Sequence, residues 1–217
     1  MIKKRLVIIC ILFSIVGIGC SQTKKVKVQS SDLKNSREEF YVLKSDNTIK
    51  EGPYKRIVND KLAIEGYYTN GQKSGVWKIY DYYNNVEMEI NYDSGDMEYS
   101  VPDSVTRSYV KVKSKIVPDN DRPVLNITGS GLFMEYLLQL IEYPHPEANV
   151  SGIVVVKIKI NPKGEIVDYV IEKSAVKYLD DEALRVVKLV PFEFLPEYKN
   201  GKPVDSEVLI PINFRYQ

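Results

Sequence analysis

Side chains able to do chemistry are sparse in this sequence. Its one histidine, His145, stands between Pro144 and Pro146, the setting of a surface turn. No serine lies in the strand–turn–helix context of a nucleophile elbow, and a nucleophile with no base beside it stays inert. The carboxylates Asp119, Asp121, Asp180 and Asp181 do not fall at metal-ligand spacings. The Asp180–Asp181 pair is better placed to cap a helix. These residues predict no catalytic group, no metal site and no cofactor. The two cysteines pose a separate question: Cys10 lies inside an apolar run and Cys20 ends it, so the chemistry open to Cys20 depends on what that run is.

Lys3, Lys4 and Arg5 precede 14 uncharged, mostly apolar residues, Leu6 to Gly19. A helix that crosses about 30 Å of hydrocarbon needs roughly 20 apolar residues, whereas a secretory signal needs a basic start, a short apolar core and small residues at the cut. The run is too short for the first and suits the second. Gly17, Gly19 and the cysteine after them resemble the lipobox of bacterial lipoproteins, although position 17 is usually leucine there. The resemblance implies a signal peptide over 1–19, cleavage between Gly19 and Cys20, and acylation of Cys20, palmitate included. Cys10 leaves with the signal, so no disulfide forms and burial must supply the stability. The mature chain keeps 198 of the 217 residues, with 27 basic against 29 acidic side chains, a net charge of −2. That balance excludes a nucleic-acid binder, which needs a basic patch to neutralise phosphates. Residues 20–38 are Lys, Ser, Gln, Asn and Asp with few apolar side chains, too few to repay the entropy of ordering. They read as a polar tether to the membrane, held by acyl chains worth roughly 0.8 kcal/mol per buried methylene.

The elements that follow must carry any function. "EGPYKRIVNDKLAIEGYYTNGQKS" is followed by "GVWKIYDYYNNVEMEINYDSGD": Gly52 and Gly75 open equivalent segments, Tyr54 aligns with Trp77, and Gly71 and Gly95 recur at nearly the same interval of about 23 residues. Alternation broken by "NDK" and "TNGQ" predicts hairpins, two or three of which must stack to bury a face. These residues resemble MORN-type repeats of the antitoxin-like variety, over 39–100. Nine of the 16 tyrosines lie between Tyr41 and Tyr99. Tyr67, Tyr68, Trp77 and Tyr82 are a candidate aromatic surface for glycan or peptide; the same rings also suit a cross-strand ladder that holds a thin sheet together. Residues 101–120 read as a connecting strand and linker, with Lys111, Lys113 and Lys115 guarding an exposed edge.

Farther on, Phe133, Tyr136, Leu137, Leu140 and Ile141 form one apolar helical stripe, with Ser130 as N-cap and Pro144 as the stop. "GIVVVKIKI", the turn "NPKG" and "EIVDYVIEK" predict a hairpin with Val154, Val156, Ile158 and Ile160 inward. "DDEALRVVKLVP" predicts a second helix capped by Asp180 or Asp181, with Ala183, Leu184, Val187 and Val190 as its stripe. A last strand turns Val208, Ile210, Ile212 and Phe214 to one face. The expected class is α+β: a small antiparallel hairpin-repeat region, then two helices on one side of a mainly antiparallel sheet.

The segments "YPHPEANVSGIVVVKIKINPKGEIVDYVIEKS", "LDDEALRVVKLVPFEF" and "NGKPVDSEVLIPINFRY" resemble the C-terminal domain of the TonB energy-transducer family, over 121–217. Tyr143-Pro144, Gly152, Gly164, Leu179-Asp180 to Ala183-Leu184 and Gly201-Lys202-Pro203 carry the resemblance. It implies a domain that grips the N-terminal extension of outer-membrane transporters by strand addition, a mode that needs an open sheet edge. Pro211 agrees with an edge position, because proline cannot donate to a ladder. The expected partner-binding strand is therefore Val208, Leu209, Ile210, Pro211, Ile212, Asn213 and Phe214. The family's spanning helix and proline-rich spacer have no counterpart here.

Together these features predict a non-enzymatic lipoprotein in the inner leaflet of the outer membrane of a Gram-negative-type bacterium. It faces the periplasm, and Ser21 after the cysteine fits outer-membrane sorting. Its expected partner is a transporter-like envelope peptide or a second copy of itself. Two alternatives stay open: a structural or dimerising module that contacts peptidoglycan, and a TonB-like transducer with an uncleaved N-terminal anchor.

Overall fold

The computed structural model describes residues 22–29, 33–102, 109–142 and 150–215. The signal segment 1–19, Cys20, the Tyr143-Pro144 pair and His145 lie outside the described residues.

Eight strands form one antiparallel meander: β1 (Thr23–Gln29), β2 (Ser36–Leu43), β3 (Gly52–Val58), β4 (Lys61–Thr69), β5 (Gln72–Tyr80), β6 (Val86–Asn91), β7 (Asp96–Pro102) and β8 (Tyr109–Lys115). Each strand pairs with its neighbours in sequence. Gly71 and Gly95, which mark the 23-residue interval, both sit at positive φ, 79° and 74°, the conformation a tight turn asks of glycine. The two repeat segments supply β3–β4 and β5–β6, and the sheet extends past them on both sides.

The sheet begins inside the stretch expected to be an unstructured tether. β1 pairs with β2 in seven consecutive positions, and Glu39 of β2 receives Lys25 at 2.7 Å and Lys27 at 3.2 Å. Composition counts only the apolar burial a segment can supply for itself. An edge strand instead takes its order from the ladder and charges of its neighbour. At the opposite edge, Lys111, Lys113 and Lys115 of β8 are exposed, and Lys111 pairs with Glu98 of β7 at 3.3 Å.

The C-terminal part contains β9 (Leu125–Asn126), α1 (Ser130–Leu140), β10 (Gly152–Ile160), β11 (Ile166–Lys173), α2 (Lys177–Leu189), β12 (Phe194–Leu195), β13 (Glu197–Lys199), β14 (Lys202–Val204) and β15 (Ser206–Phe214). A three-stranded sheet runs β11-β10-β15, and β9–β12 and β13–β14 are two-stranded ribbons. The period-two alternation of β10 is met in full: Val154, Val156, Ile158 and Ile160 are at most 1% exposed. They pack with Leu179, Ala183 and Val187 of α2 and with Phe133 and Leu137 of α1, so both helices lie on one face of this sheet.

Both expected caps are placed differently. Gly129, not Ser130, is the N-cap of α1, and the Ser130 amide and hydroxyl both donate to Glu87 of β6, at 2.8 and 2.9 Å. The α2 helix starts earlier than expected, with Val176 as N-cap. Asp180 reaches back from the first turn to accept from the Ala175 amide at 3.0 Å and the Ser174 hydroxyl. A carboxylate near a helix start is favourable at several positions, so sequence placed the residue but not its register.

The two parts share a core. Leu132 and Tyr136 of α1 and Val190 pack with Val58 and Ala63 of the large sheet and with Leu33, just before β2. Tyr136 is fully buried, and its hydroxyl accepts from Arg56 Nη2 of β3 at 3.2 Å. Leu125, Ile127 and Leu195 close over Ile79, Met88, Ile90, Met97 and Tyr99 farther along the same face. Arg122 is 1% exposed: it donates to the carbonyls of Pro196 at 2.8 Å and Pro123 at 3.3 Å, reaches that of Ile116, just after β8, at 3.5 Å, and lies over the Tyr198 ring. Burial lowers the pKa of its guanidinium.

Close approach of α1 to the sheet depends on Gly131, where a Cβ would stand 2.6 Å from the Tyr80 carbonyl oxygen and 2.7 Å from the Asp81 carbonyl carbon. Gly131→Ala gains up to about 1 kcal/mol of helix propensity but overpacks against backbone, at about 1–3 kcal/mol. The expected outcome in urea unfolding is a lower midpoint; a raised midpoint would mean α1 does not seat on the sheet.

Lys25 and Lys27 hold the Glu39 carboxyl down, from an ordinary 4.5 to about 2. A carboxylate depressed in the folded state contributes stability that is complete above 4.5 and is lost as pH falls toward 2. Melting temperature should therefore fall across that window in the wild type, and fall less steeply in Glu39→Gln.

Candidate functional site

Two places in the fold gather polar and apolar groups in a way that could recognise a ligand. The first is β15. It pairs with β10 along nine positions, Gly152↔Phe214 to Ile160↔Ser206, and is the terminal strand of its sheet. Ile210, Ile212 and Phe214 are buried, Val208 is half-buried, and Leu209, Pro211 and Asn213 are exposed.

Pro211 sits opposite Val155 in an unbroken register. Proline has no N–H, so this position must be one whose nitrogen faces away from β10. Residues two apart in a strand share the direction of their backbone groups. The N–H groups of Leu209 and Asn213 therefore face the open side, with Pro211 interrupting them.

The second place is a cavity of about 220 Å³ between the large sheet and the C-terminal part. Its aromatic residues are Tyr54, Tyr68, Trp77 and Tyr92, joined on the C-terminal side by Thr128, Leu132, Pro191 and Glu193. Tyr54 and Trp77 lie nearly parallel, centroids 5.3 Å apart at 26°. Tyr68 and Tyr92 meet Trp77 edge-on at 5.1 and 6.0 Å.

Trp77 can lie flat because position 66 is glycine: a Cβ there would stand 2.2 Å from the indole. The Trp77 Nε1 donates to the Tyr67 carbonyl at 3.1 Å, which fixes the ring in its plane.

Charge in this cavity is concentrated. Lys50 Nζ lies 4.6 Å from the Phe40 centroid and 5.0 Å from that of Tyr68. Lys73 Nζ lies 5.0 Å from Trp77 and 5.5 Å from Tyr92, and it pairs with Glu193 at 3.1 Å across the junction. Burial alone would depress the Lys73 ammonium, but its neighbours Tyr92 and Glu193 more than offset it and its pKa is raised. Burial and the neighbouring Glu38 push the Tyr54 hydroxyl well above its ordinary value.

Of the four rings expected to form one aromatic surface, the structure brings two together. Tyr68 and Trp77 line the cavity, Tyr67 is 45% exposed, and Tyr82 stacks edge-on with Tyr83 and carries Lys61 over its ring. Residues missed by sequence reasoning are Tyr92, Lys50, Arg56, Lys73 and Glu193. The signal for three of them was in the repeat itself. Lys50 and Lys73, like Tyr54 and Trp77, are 23 residues apart, and Tyr68 and Tyr92 are 24 apart. Repeated units stack equivalent side chains on one face, so the interval predicts a cluster and not a scattered surface.

Among the described residues, no group of three His, Cys, Asp or Glu could hold a metal ion, and no helix is long and apolar enough to cross a membrane.

Residues 141–216 match the family model described as Gram-negative bacterial TonB protein C-terminal. The matched segment contains β10 to β15 and α2, and leaves out α1 and the large sheet. Comparison with curated proteins and with solved structures gave no match.

Gly66→Ala should displace the Trp77 indole. The expected readout is a red-shifted tryptophan emission together with a loss of about 1–3 kcal/mol of stability. An unshifted emission at lowered stability would show that the ring does not rest on the strand.

Proposed function

We propose that this protein is a non-enzymatic envelope lipoprotein that binds an extended peptide of another envelope protein by strand addition along β15. Acyl chains on Cys20 hold it in the inner leaflet of the outer membrane, and the folded part faces the periplasm. The observation that carries the reading is that β15, among the described residues, pairs on one side only, within a segment that matches the family model of the TonB C-terminal region. An edge strand with its side chains packed on one face and its backbone unpaired on the other is the half-site that β-augmentation completes.

The supporting chemistry is local. Leu209 and Asn213 present backbone donors and acceptors, and Leu209, 54% exposed, offers apolar surface on the same face of the sheet as Ile153 of β10, 43% exposed, which stands opposite Asn213. No charged side chain lies between Val208 and Phe214, so an uncharged peptide backbone meets no desolvated ion there. The partner fitting this surface is an extended, largely uncharged segment such as the periplasmic N-terminal extension of an outer-membrane transporter.

The test removes the outward donors without touching the inward ones. Leu209→Pro deletes an N–H that faces the partner, and the pairing with β10 is kept. Each lost hydrogen bond costs about 0.5–1.5 kcal/mol net, so binding of a panel of transporter extension peptides by fluorescence anisotropy should weaken roughly two- to tenfold at a nearly unchanged melting temperature. Ile210→Pro, one residue on, should instead unfold the edge. Equal binding by wild type and Leu209→Pro would reject strand addition at β15. Mass spectrometry of the mature N-terminus tests the anchor separately: an acylated Cys20 is expected, and an intact Met1 would overturn it.

A further inference from the structure

We infer that the end of the large sheet nearest Cys20, formed by Gln22, Lys24, Lys44 and the β2–β3 turn, docks on anionic lipid headgroups of the leaflet that holds the acyl chains. The inference rests on acylation of Cys20, the anchor of the proposed function, and is independent of strand addition at β15.

Chain length sets the constraint. β1 begins at Thr23, three residues after Cys20, and an extended chain spans at most about 3.6 Å per residue. An acylated Cys20 therefore lies within about 11 Å of the Thr23 α-carbon. No tether of the expected length remains, so the start of β1 is held at the headgroups whatever the tilt of the sheet.

Topology decides what else is there. β1 runs away from Cys20 and β2 returns, which brings the turn after Leu43 beside the start of β1. The Lys44 amide donates to the Gln22 carbonyl at 2.8 Å, so Lys44 stands across from the residue that enters β1. The turn is closed by its own groups. The Leu43 amide donates to the Ile49 carbonyl at 3.0 Å, and Asp46 accepts from the Thr48 amide at 2.9 Å and its hydroxyl at 2.6 Å. A surface satisfied in this way meets the membrane without refolding.

Charge selects the lipid. Lys24 and Lys44 are exposed, and among the described residues neither ammonium has an acidic partner. Lys25 and Lys27 are taken up by Glu39, and Lys50 faces Glu38 at 3.9 Å. The acids of the turn are engaged as well: Asp46 by Thr48, and Glu51 by the Asn70 amide at 2.6 Å. Two free cations are thus left at the anchored end. Each lysine close to an anionic leaflet strengthens association roughly fivefold, and the chain length holds both within reach of a field that decays over about 8 Å.

The α1 helix seats at the other end of these strands. Lys34 of the β1–β2 turn exchanges hydrogen bonds with Gln139 at 2.7 and 3.2 Å, and Asn59 of the β3–β4 turn donates to Glu135 at 2.6 Å. Seven residues of β1 at about 3.3 Å each place α1 roughly 20 Å from the docked end. The docked sheet is then a fixed spacer, and α1 is held off the leaflet by the length of its strands.

The test uses the full acylated protein in vesicles. Cys10 leaves with the signal and the lipid blocks Cys20, so a maleimide dye reacts only with an introduced thiol: Asn47→Cys in the β2–β3 turn, or Lys34→Cys at the opposite end. The vesicles are phosphatidylcholine alone or an equimolar mixture with phosphatidylglycerol, each doped with a headgroup nitroxide that quenches the dye. On the mixed vesicles the dye at Asn47→Cys should be quenched several-fold more than that at Lys34→Cys, and high salt should reduce the difference. Lys24→Gln combined with Lys44→Gln, both exposed and unpaired, should lower the docked fraction roughly tenfold or more at an unchanged melting temperature. Equal quenching at the two sites overturns the inference, as does quenching at Asn47→Cys that is indifferent to lipid charge and to the lysine changes. The mass of the mature N-terminus is measured first on the same preparation. A Cys20 without acyl chains removes the anchor and this inference together, whereas failure in the vesicles removes the docking alone.

Discussion

Burial of α1 on two sides is the constraint on which the molecule depends. One side of this 11-residue helix, with Phe133 and Leu137, packs on the small sheet; the other, with Leu132 and Tyr136, packs on the large one. A helix with two apolar stripes about 100° apart, each facing a different sheet, cannot be satisfied by either sheet alone. The small sheet and α2 would leave Leu132 and Tyr136 in water, and the large sheet would leave Phe133 and Leu137 there. Polar contacts then fix the orientation: Glu135 accepts from Asn59 at 2.6 Å, and Gln139 and Lys34 exchange hydrogen bonds at 2.7 and 3.2 Å. The cavity exists because α1 and the chain after α2 stand off the sheet just where the tyrosine-rich strands present their rings.

The large sheet has its own need for that helix. An open meander buries little unless something covers one face, and here the cover is assembled from α1 over Val58 and Ala63 and from β9 and β12 over Ile79, Met88, Ile90 and Met97. Its other face and its margins are held by charge pairs, among them Lys55–Glu65 at 3.6 Å and Lys78–Glu89 at 3.6 Å. Exposed pairs of this kind contribute about 0–1 kcal/mol each. They set strand register more than stability, because a one-residue slip would put Lys55 opposite Ile64 or Gly66, and Lys78 opposite Met88 or Ile90, and lose both pairs.

What could be read in the sequence follows the range of the interaction that writes it. Alternation in β10 and β15 is a local pattern, and it located the buried residues of the small sheet; the stripe expected on α2 held Ala183 and Val187 but left out the fully buried Leu179 and Val186. The helix over 130–140 was equally legible, but only as one stripe. Leu132 and Gly131 mark its second face, and a glycine beside an apolar residue has no periodic signature until the opposing Tyr80 backbone is known. β1 was hidden for the opposite reason, since its order comes from a neighbour rather than from its own side chains. The aromatic cluster stands between these cases: the 23-residue interval was visible, yet exposure could not be assigned to Tyr67 and burial to Trp77 without the sheet's facing.

The four margins of the two larger sheets show how differently an edge can be kept from unwanted pairing. β1 carries Lys24, Lys25 and Lys27, and β8 carries Lys111, Lys113 and Lys115. β11 carries Asp168, Glu172 and Lys173. Charges spaced along an edge repel any approaching strand, so these margins are closed along their length. β15 is built otherwise. Beyond Glu207 near its start it has no ionic side chain, and its one obstacle is Pro211 in the middle. A proline removes a single donor and leaves the backbone on both sides able to pair, which shortens the stretch of ladder available without abolishing it. Among the described residues, the β15 margin thus lacks the charges that guard β1 and β8, and Pro211 divides its outward donors into two short stretches.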